Sequence, residues 1–335
     1  MITGIGSLPF VDVDQAIDLI FSTCCEVPFW PQLPKRAFME GMYAQFLEGV
    51  PGVVFDPQGE SVYIDTEDTT GVERFYEDFY EGHMDAFRIT EGTAPGLYRL
   101  VERLPEIGDQ VKLIKGHVTG PFTMGLGIKD RQGKAIIYDA SYFDMVKKAL
   151  HMKARWTISL FKSRFPEKDV IIFFDEPYMV SFGSAYVSVS KEDVVGLMNE
   201  VLDGLDAKKG IHCCGNTDWS VLFDVHTDII NYDAVEYMDT IFYYRTELEG
   251  FFKRGGMIAP GIIPSSEQAL AVSSEQIRGW WGRFLELASA VEGSTGSEYL
   301  FTPSCGLGTV SPEAAERVFH LLAEFASSLV SPAPR

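Results

Sequence analysis

The feature that most constrains the fold is a recurrence: short apolar runs, each followed by a stretch of helical periodicity. It is clearest at Val170-Ile171-Ile172-Phe173-Phe174, whose unbroken apolar character suits a strand buried on both faces, as parallel strands are. Eight runs of this kind can be placed, at residues 2–6, 52–56, 112–117, 170–174, 209–213, 233–237, 256–260 and 299–302. Between them, Val194, Leu197, Met198, Val201 and Leu205 keep helical spacing behind Ser190 as N-cap, and Val318, Leu321, Leu322 and Phe325 do so behind Ser311-Pro312. Eight strand and helix alternations predict an α/β fold, a (β/α)8 TIM barrel with an N-terminal extension or cap, over an open doubly wound sheet. A chain of 335 residues fits one such domain over residues 1–335, with inserted or capping segments within 8–110. In that region Phe29-Trp30-Pro31-Gln32-Leu33-Pro34-Lys35-Arg36 is expected as a cap or loop over the barrel mouth, and the sequence assigns no role to residues 24–50.

Composition narrows the function classes. The net charge of −20, without a basic cluster, argues against nucleic acid or an anionic membrane as the main partner. No apolar run approaches the roughly 18 residues of a membrane span, and no signal-type segment opens the chain, so a soluble cytoplasmic protein is expected. Five cysteines, with adjacent pairs at Cys24-Cys25 and Cys213-Cys214, make no disulfide framework for this length and fit a reducing compartment.

In a barrel of this type the chemistry gathers at the C-terminal ends of the strands. Gly6-Ser7, Asp175-Glu176, His212-x-Cys214, Glu236 and Cys305 each stand at or just past an expected strand end. His212 and Cys214 share one side of an extended backbone, because alternate residues point the same way, so they can share a metal. Cys305 is the candidate third ligand, brought in by the fold, since it lies far beyond the spacing of a zinc finger. The alternative is that these are buried free cysteines packed as small hydrophobes. Cys213 is expected to point into the barrel wall. Gly4-x-Gly6 does not open a dinucleotide site, because Pro9 stands where that motif needs glycine.

Several separated motifs together resemble the cobalamin-independent methionine synthase family, specifically its C-terminal, homocysteine-binding barrel, within the wider uroporphyrinogen decarboxylase-like superfamily. Ile5-Gly6-Ser7 resembles the family's I-G-S, Thr119-Gly120-Pro121-Phe122-Thr123 its T-G-P-x-T, and Phe174-Asp175-Glu176-Pro177 its D-E-P. His212-x-Cys214, Glu236 and Cys305-Gly306-Leu307 resemble its zinc motifs, so the match spans the whole chain. The resemblance implies one Zn2+ per chain on His212, Cys214 and Cys305, with Glu236 as a displaceable fourth ligand. It also implies Asp175 as the partner of a substrate amino group, with Glu176 beside it, and Ile5, Gly6 and Ser7 around the substrate carboxylate. His117 is the histidine left over for catalysis at the mouth.

Two departures bear on the methyl donor. Full-length members carry a second, N-terminal barrel that helps bind folate, and in Ala259-Pro260-Gly261-Ile262-Ile263-Pro264-Ser265-Ser266 serine stands where the family has a downstream His. That His is implicated in protonating the departing folate nitrogen, whereas a methyl group leaving cobalt needs no proton. The expectation is therefore methyl transfer from a methylcorrinoid, a donor carried by a partner corrinoid protein and not a bound cofactor, to the thiol of homocysteine. Competing readings are a coenzyme M-type thiol methyltransferase, a metal-free uroporphyrinogen decarboxylase-like enzyme, disfavoured by the absence of Arg before Arg36, and a non-catalytic corrinoid- or thiol-binding protein.

Overall fold

The computed structural model describes residues 1–294 and 299–330. Its strands are β1 (Val53–Asp56), β2 (Ser61–Ile64), β3 (Leu113–Thr119), β4 (Lys129–Asp130), β5 (Asp169–Asp175), β6 (Lys208–Cys213), β7 (Ile229–Asp233), β8 (Met257–Ile263) and β9 (Thr302–Pro303). Its helices are α1 (Val13–Thr23), α2 (Ala44–Leu47), α3 (Val72–Glu81), α4 (Pro95–Arg103), α5 (Pro121–Gly127), α6 (Ala140–Arg164), α7 (Lys191–Leu202), α8 (Trp219–Asp224), α9 (Arg245–Lys253), α10 (Ser274–Ser289) and α11 (Pro312–Val330).

Six strands form one parallel sheet in the order β3-β5-β6-β7-β8-β9. Two irregular segments continue it. Residues 26–32 run beside β3, with Leu113 N donating to Glu26 O, Lys115 N to Pro28 O and Trp30 N to Lys115 O. The N-terminal segment bridges from there to β9: Gln32 N donates to Gly6 O and Leu8 N to Gln32 O, while Ile2 pairs with Phe301. Eight parallel segments thus curl into the expected TIM barrel.

One of the eight is not the expected one. Residues 52–56 fall in β1, which pairs antiparallel with β2 in a three-stranded sheet completed by β4, separate from the barrel sheet. The half-buried side chains of β1 suit such a sheet, whereas a barrel strand is covered on both faces. The barrel's second segment is instead residues 26–32, expected in part as a cap. Pro28 and Pro31 interrupt its backbone donors, so it makes isolated bridges and reads poorly as a strand. The strand expected at 233–237 lies four residues earlier, as β7, so the two share only Asp233 and Glu236 lies three residues past the strand.

Alternation sorts the rest. On β5, Ile171 and Phe173 join Val27, Leu113, Ile229, Ala259 and Leu300 in a small apolar cluster, while Ile172 and Phe174 join the large core shared with the helices. Ser190 caps α7 by accepting from Asp193 N, and α11 opens at Pro312, as the sequence indicated. Among the described residues no helix is long and apolar enough to cross a membrane.

The packing of α4 on the irregular second segment leaves no room for a side chain. A β-carbon on Gly96 would come 2.1 Å from the Pro31 carbonyl oxygen, a backbone atom that cannot step aside, whereas Gly196 on the exposed face of α7 has nothing within 4 Å. Gly96→Ala is therefore expected to lower unfolding free energy by about 1–3 kcal/mol, and Gly196→Ala to raise it by up to about 1 kcal/mol. Urea melts of the two variants test this; equal effects would refute the packing.

Candidate metal centre

The ladder hydrogen bonds between parallel strands put one residue from each of five strands on a single level: Thr119, Asp175, His212, Asn231 and Ala259. Asp175 ends β5 and His212 stands one residue before the end of β6, both facing the cavity next to one another. Cys214 follows one residue past β6, and Cys305 comes two residues after β9. The ligand atoms of His212, Cys214 and Cys305 all lie within 4.8 Å of one another, a spacing that could hold a metal ion. The Cys213 side chain, as expected, turns away into the apolar core, with its thiol on Gly215 O at 3.3 Å and burial pushing it up to about 12.

The donor set also fits a metal in its orientation. His212 Nδ1 meets Asn231 Oδ1 at 2.5 Å, and Asn231 Nδ2 donates to Ala259 O and Thr302 Oγ1 at 2.6 and 2.8 Å. A backbone carbonyl only accepts, so the Asn231 amide nitrogen must face Ala259 and its oxygen must face the ring. His212 Nδ1 then carries the proton, which leaves Nε2 as a lone pair. That Nε2 is buried without a hydrogen-bond partner. An imidazole with one nitrogen held by a polar group and the other bare is the usual arrangement of a metal ligand.

Electrostatics couple the three groups in this structure. The neighbouring Cys305 thiol, together with His212, holds Cys214 far below the usual thiol range, to about 4, while Cys305 itself is pushed up by the Cys214 charge and by burial. Burial pulls His212 down, but the Cys214 charge and Asp175 bring it above its ordinary value. Burial lifts Asp175 to about 6, against the pull of His212 and Lys115, and its Oδ1 has no partner.

These groups face a cavity of about 330 Å³, lined by Ile5, Ser7, Gln32, Asp175, His212, Cys214 and Cys305 with Pro34, Met42, Pro177 and the 306–309 loop. Of the predicted substrate contacts, Ile5, Ser7 and Asp175 line it. Lys115 Nζ, fully buried, donates to Ile5 O at 2.5 Å, and Ser7 accepts from Gly308 N and Leu307 N. Gly6 lies against the His117 ring instead, where a β-carbon would sit 2.9 Å from the ring.

The structure places three of the predicted site residues away from the cavity lining. Glu236 is outside the ligand group and exposed: the Asp233 carboxylate accepts from Val235 N and Glu236 N, turning the chain just beyond β7. Glu176 does not line the cavity. Its buried carboxylate accepts from Phe122 N and Thr123 N at 3.0 and 2.7 Å, capping α5, and burial lifts it to about 7. His117 is not at the mouth, because it stands two residues short of the end of β3. There it is stacked on Trp30 at 4.5 Å and edge-on to Phe46, and burial drives its pKa well below the ordinary value. Sequence reasoning missed Asn231 and Gln32. The available signal for Asn231 was an amide in the middle of the apolar run Ile229-Ile230-Asn231-Tyr232.

No family model matches the chain, and no curated protein matches it. Among solved structures it is similar to a B12-independent methionine synthase from Shewanella sp. W3-18-1 in complex with selenomethionine, with TM-score 0.56 and 14% identity over 98% of both chains. It is also similar to a structure from Listeria monocytogenes provisionally described as a vitamin-B12-independent methionine synthase, with TM-score 0.58, 16% identity, and coverage of 96% of this chain and 86% of that one. At these identities the likeness establishes the barrel fold.

Removing the amide that holds the ring should loosen any bound metal without removing a ligand. Asn231→Leu is expected to weaken zinc affinity about 10- to 100-fold, while Cys213→Ala leaves it unchanged. Competition against a chromogenic chelator reads both, and an unaltered Asn231→Leu would show that the His212 orientation is set elsewhere.

Proposed function

We propose that this chain is a zinc-dependent thiol methyltransferase that moves a methyl group from a methylcorrinoid to homocysteine, forming methionine. One observation carries the reading: His212, Cys214 and Cys305 converge beside a buried carboxylate oxygen without a partner, at a cavity of small-molecule size. Zinc on an imidazole and two thiolates would deprotonate a coordinating substrate thiol and leave it nucleophilic.

The chain's own residues supply the rest. Asn231 keeps His212 Nε2 turned toward the ligand group, and Asp175 offers Oδ1 to the substrate ammonium. Ser7, whose hydroxyl oxygen accepts from Gly308 N, has its own proton free to donate to the substrate carboxylate. Homocysteine is favoured over a sulfonate thiol such as coenzyme M by charge, because the cavity is lined by neither Lys nor Arg. A sulfonate there would face Asp175.

The donor follows from the proton balance. A folate nitrogen must be protonated as it leaves, whereas a corrinoid departs with the carbon–cobalt electron pair as cobalt(I) and takes no proton. The ionisable side chains lining the cavity are Asp175, His212, Cys214 and Cys305, and all four are already assigned. Of the two serines in the stretch where the family has its His, Ser265 shares a hydrogen bond with Ser304 Oγ at 2.9 Å and Ser266 accepts from Gln268 N. Chain length does not decide the donor: the Shewanella protein, described as B12-independent, is matched over 98% of its own length.

Three outcomes are expected. The purified protein should bind about one zinc per chain, and Cys305→Ser should abolish binding; full occupancy in that variant removes the reading. With homocysteine, methylcobalamin should yield methionine and methyltetrahydrofolate should not. Turnover with folate and no corrinoid overturns the donor assignment. Asp175→Asn should keep its zinc but bind homocysteine roughly 10- to 100-fold more weakly, the loss of one charge-assisted hydrogen bond, with an amine-free thiol unaffected. Equal weakening of both thiols would take Asp175 out of substrate recognition.

A further inference from the structure

Three successive carbonyls of the N-terminal segment are held by three different parts of the barrel. Ile5 O accepts from Lys115 Nζ at 2.5 Å, Gly6 O from Gln32 N at 3.0 Å and Ser7 O from Leu307 N at 2.9 Å. Backbone ladder bonds alone do not reach the first of them. Thr3 N donates to Phe301 O and Phe301 N to Met1 O, but the next donor position on β9 is Pro303, which has no N–H, so the ladder stops short of Ile5. Lys115, which shares the lumen face of β3 with Leu113, takes up the Ile5 carbonyl from within the barrel.

The Lys115 ammonium is fully buried and lies over the Phe173 ring, 4.5 Å from its centroid; among the described residues no carboxylate pairs with it. Burial lowers it to about 8, so it keeps its charge at neutral pH. A buried cation is a costly way to hold one carbonyl, because a neutral donor could make the same bond. What the cation adds is polarity. The Ile5 carbonyl and the Gly6 N–H belong to one peptide group, trans like every described peptide, so they point in opposite directions. A positive charge on the oxygen makes the N–H a stronger donor. That N–H meets no acceptor among the described residues, and it stands between Ile5 and Ser7, which both line the cavity. The His117 ring backs the same residue, 2.9 Å from where a β-carbon on Gly6 would sit.

We propose that Lys115 is a positioning residue for the substrate carboxylate: its ammonium fixes the Ile5–Gly6 peptide so that Gly6 N–H donates to that carboxylate, and supplies a positive charge one peptide group away. The cavity lining itself holds neither Lys nor Arg to meet a carboxylate. A cation set behind a peptide, already in place before the ligand arrives, favours a thiol that carries a carboxylate over one that does not. This rests on the amino acid ligand proposed above.

The test uses purified, zinc-saturated protein and three thiols, with dissociation constants from calorimetry: L-homocysteine, 3-aminopropane-1-thiol, which lacks its carboxylate, and 4-mercaptobutanoate, which lacks its amine. Wild type should prefer homocysteine to 3-aminopropane-1-thiol. Lys115→Met should weaken homocysteine and 4-mercaptobutanoate by about tenfold each and leave 3-aminopropane-1-thiol unchanged. Lys115→Gln, able to keep a bond to Ile5 O without the charge, should move both carboxylates in the same direction by less. Three results of Lys115→Met overturn the proposal and leave the aminothiol reading standing: a preference for the carboxylate that survives, equal weakening of all three thiols, as a merely structural lysine would give, or a loss confined to homocysteine, which would place the effect at the amine. A wild type that binds none of the three sinks both. Should Lys115→Met fail to fold, by melting temperature and zinc content, Lys115→Gln decides alone: a lowered preference for the carboxylate supports the proposal and an unchanged one rejects it.

Discussion

The site depends on the register of the parallel strands. Backbone hydrogen bonds hold Thr119, Asp175, His212, Asn231 and Ala259 on one level, and the pleat points Asp175 and His212 inward together. A one-residue slip of β6 would turn His212 out into the helices and bring the apolar-packed Cys213 into the lumen. The ladder between β5 and β6 forbids it, since Ile211 and Cys213 are needed in the outer core and Gly210 must stay under the Phe173 ring. The placement of these groups is therefore inherited from the backbone ladder of the barrel.

Polar groups are unusually deep in this barrel. Lys115 and His117 are both inward residues of β3 and both buried; Lys115 holds the Ile5 carbonyl beneath the cavity and stacks over Phe173 at 4.5 Å, and burial lowers it to about 8. Burying an ammonium with so few partners is costly. The return is placement: the N-terminal segment makes only isolated bridges to its neighbours, and Lys115 ties it from below while Leu307 and Gly308 tie Ser7 from the side. Asn231 does comparable work on the opposite wall by turning one ring nitrogen of His212 away from the cavity.

Amides recur as orienting devices. Asn231 is fixed by Ala259 O and Gln45 by Thr93 O, and in each case a carbonyl that can only accept decides which way the next group faces. Such relays carry direction without charge, which suits a cavity that already contains a carboxylate and two thiols. Glu176 serves a neighbouring purpose: its carboxylate holds the start of α5 against the end of β5, so the Asp-Glu pair divides into one group facing the cavity and one facing the scaffold.

The barrel was legible in the sequence because a strand covered on both faces must be apolar throughout, and Val170–Phe174 has no other comfortable environment. His212, Cys214 and Cys305 were legible for a related reason: soft ligands at strand ends stand out against apolar runs, and alternation alone puts the first and second on one side. The sequence also determined that Cys213 would face the other way. What it could not determine were matters of long-range pairing. Residues 26–32 became a barrel wall although two prolines hide the strand pattern, and residues 52–56 left the barrel because they pair with β2 as a half-buried hairpin. Glu236 stands outside the group of converging ligand atoms because β7 ends four residues earlier than expected, and His117 stands off the cavity because its level on β3 lies below the cavity floor. Local sequence fixes which way a side chain points along its own strand; only the closed ring of neighbours fixes the height at which it stands, and the site is made of the residues that stand at the same height.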